Sequence, residues 1–142
     1  MNLSPRALAP LAAAMLLAAA PLAQAKLVKF SGTFGPEHGT TTTPTGHVRG
    51  VLDTATDKVT YHIYYAHLSG PVLMAHFHGP AMAGQEAGVI LPIPGPYHSG
   101  MHGTLTASPD TVKYLLAGQT YVNLHTAAHK DGEARAQITP AG

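Results

Sequence analysis

The chain has 142 residues, ten histidines, no cysteine and a formal net charge of +1 with the histidines neutral. Its length suits one domain with a hydrophobic core, and the missing cysteine excludes disulfide staples and thiolate metal sites. The near-balanced charge, with no basic run, argues against nucleic acid and anionic membrane surfaces as partners.

Residues 1–25 read as a secretory signal peptide. Arg6 gives a positive start, Ala7 to Ala20 form an apolar stretch broken by Pro10, and Ala23-Gln24-Ala25 reads as a cleavage site before Lys26. The apolar run is short for a spanning helix, and Pro10 and Pro21 interrupt it, so no membrane insertion is expected after cleavage. The leader is of bacterial type. It places residues 26–142, a single domain, in the periplasm or outside the cell.

The mature chain predicts short strands separated by turns. Lys26–Phe34 opens with Leu27, Val28 and Phe30 and stops at Gly35-Pro36. Residues 35–46, rich in Gly, Thr and Pro, predict a loop or an irregular edge. Gly46–Asp53 alternates weakly and leads into a turn at Asp53-Thr54-Ala55-Thr56. Lys58–Leu68 is the clearest strand, with Val59, Tyr61, Ile63 and Tyr65 on one face and Thr60, His62 and Tyr64 on the other.

Ser69-Gly70-Pro71 is a turn. Val72–His78 is apolar on both faces up to its histidines, which suggests a central strand. A loop over 79–88, a short strand at Val89–Ile93 and a Gly/Pro-rich loop over 94–103 follow. Ser108 as cap and Pro109 at the first helical position predict one helix, Thr111 to Ala117, ended by Gly118. Gln119–Thr126 and Glu133–Thr139 are the last strands, joined across Lys130-Asp131-Gly132. This pattern predicts an all-β antiparallel sandwich with one short helix.

The chemistry centres on His76-Phe77-His78. Imidazoles two residues apart on a strand point the same way, with Cα atoms about 6.6 Å apart. Both can lean onto one metal ion. His125, near the end of an apolar strand, is the best third ligand, although a buried histidine satisfied by one hydrogen bond explains it about as well. His102, between Met101 and Gly103, is the fourth candidate, with His98 weaker and His129 peripheral. His38, His47, His62 and His67 have no partner spacing and read as surface residues. Imidazole ligands suit copper and zinc among others, and the affinity order favours copper over zinc. Met74 on the face of His76, and Met101 beside His102, tilt the choice further toward copper. No nucleophile elbow, phosphate loop or placeable carboxylate pair is present.

Four stretches carry a family resemblance. They are Leu68-Ser69-Gly70-Pro71-Val72, then Ala75-His76-Phe77-His78-Gly79-Pro80-Ala81, then Tyr121-Val122-Asn123-Leu124-His125-Thr126, and Gly132-Glu133-Ala134-Arg135-Ala136-Gln137-Ile138. Their order and spacing resemble the CHRD domain, named for chordin and common in secreted bacterial proteins, over roughly residues 27–139. The resemblance implies an immunoglobulin-like β-sandwich. The pattern is also similar, distantly, to copper–zinc superoxide dismutase. That similarity implies His76, His78 and His125 as copper ligands with Arg135 near them. It fails for a zinc site, because no Asp lies among His98 and His102, and no cysteine pair is present. Fold analogy does not fix function. Three readings therefore stand: an exported metal-binding protein that buffers, carries or sequesters copper, a metal-free module that binds another envelope protein, and a metal-dependent redox enzyme.

Overall fold

Alternation of apolar and polar side chains divides the chain into β1 (Leu27–Thr33), β2 (Gly35–Pro36), β3 (Thr45–Asp53), β4 (Lys58–Ala66), β5 (Met74–His78), β6 (Val89–Ile93), β7 (Met101–Thr106), α1 (Pro109–Leu116), β8 (Thr120–His125) and β9 (Ala134–Pro140). The computed structural model describes residues 24–37 and 39–142. Residues 1–23 of the expected leader, and His38, lie outside them. Among the described residues no helix is long and apolar enough to cross a membrane.

The strands pair antiparallel in the order β6-β5-β8-β9-β1-β3-β4-β7, with β2 beside β9. β9 is the seam. Its body pairs with β8, while Thr139 and Pro140 pair with Ser31 and Phe30 of β1. The continuous sheet therefore folds over into two layers, an all-β sandwich with one short helix.

Ala75 and Phe77 of β5, Val122 and Leu124 of β8, and Ala136 and Ile138 of β9 face Val28, Phe30, Val48, Leu52, Val59, Tyr61 and Ile63 from the other layer. Phe77 joins the layers. It is fully buried and sets its ring edge-on to Phe30 and Tyr61, each 6.4 Å away between centres. Gly50 makes room for this contact, since a Cβ there would run into the Phe30 ring and the Thr60 carbonyl. Burying one face of each strand fixes register, because a one-residue slip would turn the apolar set outward.

The helix forms as its sequence predicts, starting two residues earlier at Pro109 and ending at Leu116. Ser108 Oγ accepts from Thr111 N at 3.2 Å, Pro109 sits in the first turn, and Gly118 at φ +68 ends it. The predicted 94–103 loop needs correction. Met101, His102 and Gly103 open β7, which pairs with β4 from His62↔His102 and Ile63↔Met101 onward. Its signal is an alternation, Met101 and Ala107 buried with Gly103 and Leu105 half-buried between exposed His102, Thr104 and Thr106. Residues 35–46 also hold a brief ladder, because β2 pairs Gly35 with Arg135 and Pro36 with Ala134.

The ends of β5 and β8 meet on one carboxylate. Glu133 is fully buried. Its Oε1 accepts from Thr42 Oγ1 at 2.7 Å and from Ser69 N at 2.6 Å. Its Oε2 accepts from Ser69 Oγ and Thr126 Oγ1, both at 2.6 Å. Burial alone would raise its pKa. The hydrogen bonds from Ser69, Thr126 and Thr42 outweigh burial and hold it down at about 2, against an ordinary 4.5.

A lowered carboxylate pKa stabilises the fold above the unfolded value, and that stability is lost as pH falls through the folded one. The Glu133 contribution, roughly 3 kcal/mol, should therefore be complete above pH 4.5 and vanish as pH approaches 2. Glu133→Gln can keep an oxygen toward Thr42 and the Ser69 N–H, but it removes the charge and puts an NH2 where Oε2 accepts from the Ser69 and Thr126 hydroxyls. It should cost about 2–4 kcal/mol in urea unfolding at pH 7 and flatten the loss between pH 4.5 and 2. An unchanged acid profile would remove Glu133 as its cause.

Candidate metal centre

On β5 the core takes Ala75 and Phe77, so His76 and His78 face away from it. On β8 the core takes Val122 and Leu124, which turns Tyr121, Asn123 and His125 to the same side. The register pairs His76 with Asn123, His78 with Tyr121 and Met74 with His125. Two neighbouring strands thus deliver three imidazoles to one patch. One ring nitrogen from each of His76, His78 and His125 lies within 4.8 Å of the other two.

His102 is elsewhere. It stands exposed on β7, in the opposite layer, beside His62. Met101, the thioether next to it, is buried in the core. The structure therefore brings together three of the four predicted ligands and does not bring His102 to them. His98 is exposed, with Nδ1 donating to the Ser99 carbonyl at 3.1 Å. His129, half-exposed, lies in the turn after β8 and caps that turn with its carbonyl.

The hydrogen bonds decide which nitrogens carry lone pairs. His78 Nδ1 meets the Ala87 carbonyl at 2.9 Å. A carbonyl only accepts, so Nδ1 holds the proton and Nε2 the lone pair. That Nε2 is buried and has no partner among the described residues. Thr120 Oγ1 and Asn123 Oδ1 share this condition, but only the imidazole is a good transition-metal donor. His125 repeats the device. Its Nδ1 donates to the Lys130 carbonyl at 2.7 Å, which leaves a lone pair on Nε2. That Nε2 lies 3.1 Å from His76 Nδ1.

Two nitrogens bound to one ion at about 2.0–2.1 Å stand roughly 2.9–3.4 Å apart for right-angle to tetrahedral geometry. The His76–His125 separation falls inside that span. A single proton now bridges this pair, and an ion can replace it once His76 carries its N–H on Nε2. Metal-bound histidines commonly donate their other N–H to a carbonyl, which fixes ring and tautomer. The Ala87 and Lys130 carbonyls already do this for two of the three. The donor set fits a transition metal that accepts imidazole.

The surroundings disfavour the charged form of His76 and His78. Burial lowers the His76 pKa first, then the neighbouring His125 and His78 lower it further. Burial also lowers that of His78. The Ala87 carbonyl opposes it, His125 adds to it, Glu37 opposes it and Arg135 adds to it. Neutral imidazole is the form that binds metal.

A polar shell fixes the rings. The Tyr121 ring stacks on His78 at 4.8 Å and 5°, and the Arg135 guanidinium lies 3.6 Å from the centre of the Tyr121 ring. Tyr121 Oη donates to the Ala87 carbonyl and accepts from Ala87 N, both at 3.2 Å. Arg135 donates to the Gln85 and Met82 carbonyls and to Gln137 Oε1. Asn123 Nδ2 donates to Glu37 Oε2 at 2.9 Å. These contacts pin the 79–88 loop over His78. Sequence reasoning did not find the supporting carbonyls, because a backbone acceptor has no residue-type signal. Tyr121 was within reach as a polar group on a strand face, whereas Glu37 lies just past β2 in a segment that reads as a loop.

Fold and site define an all-β sandwich that carries a three-histidine patch on one outer face. The family model of the CHRD domain matches residues 19–138, and the chain belongs to the CHRD-domain family. No curated protein and no solved structure matches it.

Lowered imidazole pKa values carry a sign. Below about pH 6.5 the unfolded chain takes up protons that His76 and His78 resist in the fold. Stability in a chelator should therefore be complete above that pH and fall as pH drops, by at most about 1.4 kcal/mol per pH unit for each ring. His78→Gln, which can still donate to the Ala87 carbonyl, should make the fall shallower in urea titrations between about pH 6.5 and 5. An identical slope would show that His78 is not among its sources.

Proposed function

We propose that this CHRD-domain protein is exported and binds a transition metal ion through His76, His78 and His125, with copper favoured and zinc second. Its role would be to buffer, carry or sequester the ion. One observation carries this reading. Two buried imidazoles on neighbouring strands are held by backbone carbonyls in the tautomer that frees Nε2, and one of those nitrogens has no partner among the described residues. A structural role alone leaves that orphan atom as an uncompensated cost.

Copper is favoured for two reasons. Nitrogen sites of one geometry bind Cu²⁺ more tightly than Zn²⁺. Met74, about half exposed, stands opposite His125 on the same face and offers a thioether, which suits Cu(I). Binding and holding, rather than turnover, is the function proposed. Arg135, the group that would draw an anionic substrate in a redox enzyme, is engaged with two carbonyls, Gln137 and the Tyr121 ring.

Equilibrium dialysis with elemental analysis tests the proposal. The chain should retain copper against a moderate chelator, and the His76→Ala/His125→Ala variant should lose this tightly held equivalent. At a hundredfold excess over Kd, bound metal should add about 2.7 kcal/mol to stability, seen as a higher Tm that the double variant lacks. Equal copper retention by the two proteins, or a Tm indifferent to copper at neutral pH, would overturn the assignment. A protein partner captured equally well with and without chelator would favour the metal-free module.

A further inference from the structure

His102, left out of the trio, has its own partner. β4 and β7 pair His62 directly with His102. Both side chains alternate with core residues, Tyr61 and Ile63 on β4 and Met101 on β7, so both project from the outer face of the layer opposite the trio. Both are exposed, and their ring centres lie 5.1 Å apart with planes at 56°. The imidazole hydrogen bonds among the described residues belong to His67, His76, His78, His98 and His125. The ring nitrogens of His62 and His102 are therefore not engaged by those residues.

We propose that His62 and His102 form a second divalent-metal site, weaker than the trio and selective for Cu²⁺. With metal–nitrogen bonds of about 2.0–2.1 Å, two imidazoles on one ion at right-angle to tetrahedral geometry hold their ring centres roughly 4.5–5.2 Å apart. The observed 5.1 Å falls within that span. The strand register supplies this spacing without loop ordering, so binding costs little conformational entropy.

Two nitrogens with water completing the shell bind less tightly than three. Arg49, opposite His62 on β3, adds a like charge to the same face and weakens the site further. The adjacent hydroxyls of Thr60 and Thr104 are bonded to each other at 3.0 Å and supply no anionic ligand. A neutral two-nitrogen site ranks divalent ions by the general order, in which Cu²⁺ stands highest. The pair shares no residue with the trio, so it stands or falls separately from the proposed function.

Titration of the tag-free, full chain with Cu²⁺, followed by calorimetry and electron paramagnetic resonance, tests the inference. The wild-type protein should bind in two steps with two distinct copper spectra. His62→Ala and His102→Ala should each abolish the weaker step and leave the tighter one and the circular dichroism spectrum unchanged. His76→Ala/His125→Ala should do the reverse, and Arg49→Gln should strengthen the weaker step. If the tight step is missing but the weaker one depends on His62 and His102, the pair is a site and the trio is not. A single step in the wild-type protein that needs only the trio, or a weaker step that survives both single substitutions, would overturn the inference.

Discussion

The buried carboxylate of Glu133 is the contact on which the geometry of the histidine face depends. It takes hydrogen bonds from Thr42, from Ser69 twice and from Thr126. Thr126 follows His125 directly, and Ser69 lies in the turn that leads into β5. The carboxylate therefore ties together the ends of the two strands that supply the ligands. The Leu73 amide donates to the His125 carbonyl at 2.8 Å and closes the same junction. Burying a charge is costly unless its hydrogen-bonding capacity is met, and here two oxygens meet four donors. Its own backbone is held as well, with Glu133 N donating to the Leu124 carbonyl and Glu37 N donating to that of Glu133.

The chain between Thr126 and Glu133 is consequently a closed turn rather than a free loop. It presents the Lys130 carbonyl to His125 Nδ1. On the other side the 79–88 loop presents the Ala87 carbonyl to His78, and the Tyr121 hydroxyl and Arg135 secure that loop. Gly132, at φ +126, lets the turn approach Asn123 closely, because a Cβ there would strike the asparagine amide. The rings are oriented before any ligand arrives. Preorganisation of this kind reduces the entropy lost on binding. It also costs stability in acid, because the same burial that shapes the site disfavours the imidazolium form.

Much of this was legible in the residues. Strict alternation in β4 and the His-x-His pair in β5 each give the facing of their side chains, since strand periodicity is two. The cap at Ser108 and Pro109 marks the helix start by local chemistry alone. His125 was legible as a polar exception in an apolar strand. His102 was not, because glycines on either side of it suggest a loop, and only the pairing with β4 makes it a strand residue. The His62–His102 pair is invisible in one dimension, because the partners lie forty positions apart with no spacing rule to join them. Glu133 was equally hidden. Its meaning lies in hydroxyls from the two distant segments of Thr42 and Ser69 and from Thr126 across the turn, and charge on a sequence usually signals an exposed side chain.

The claim at the centre of this account is that β5 and β8 bring three imidazoles around a common ion. Anomalous X-ray diffraction at the copper edge, on crystals grown with stoichiometric Cu²⁺, addresses it most directly. The account expects a peak bonded to His76, His78 and His125, with the Ala87 and Lys130 carbonyls still accepting from His78 and His125. Density for the three rings with no anomalous peak among them, in a crystal that carries copper elsewhere on the chain, would contradict it.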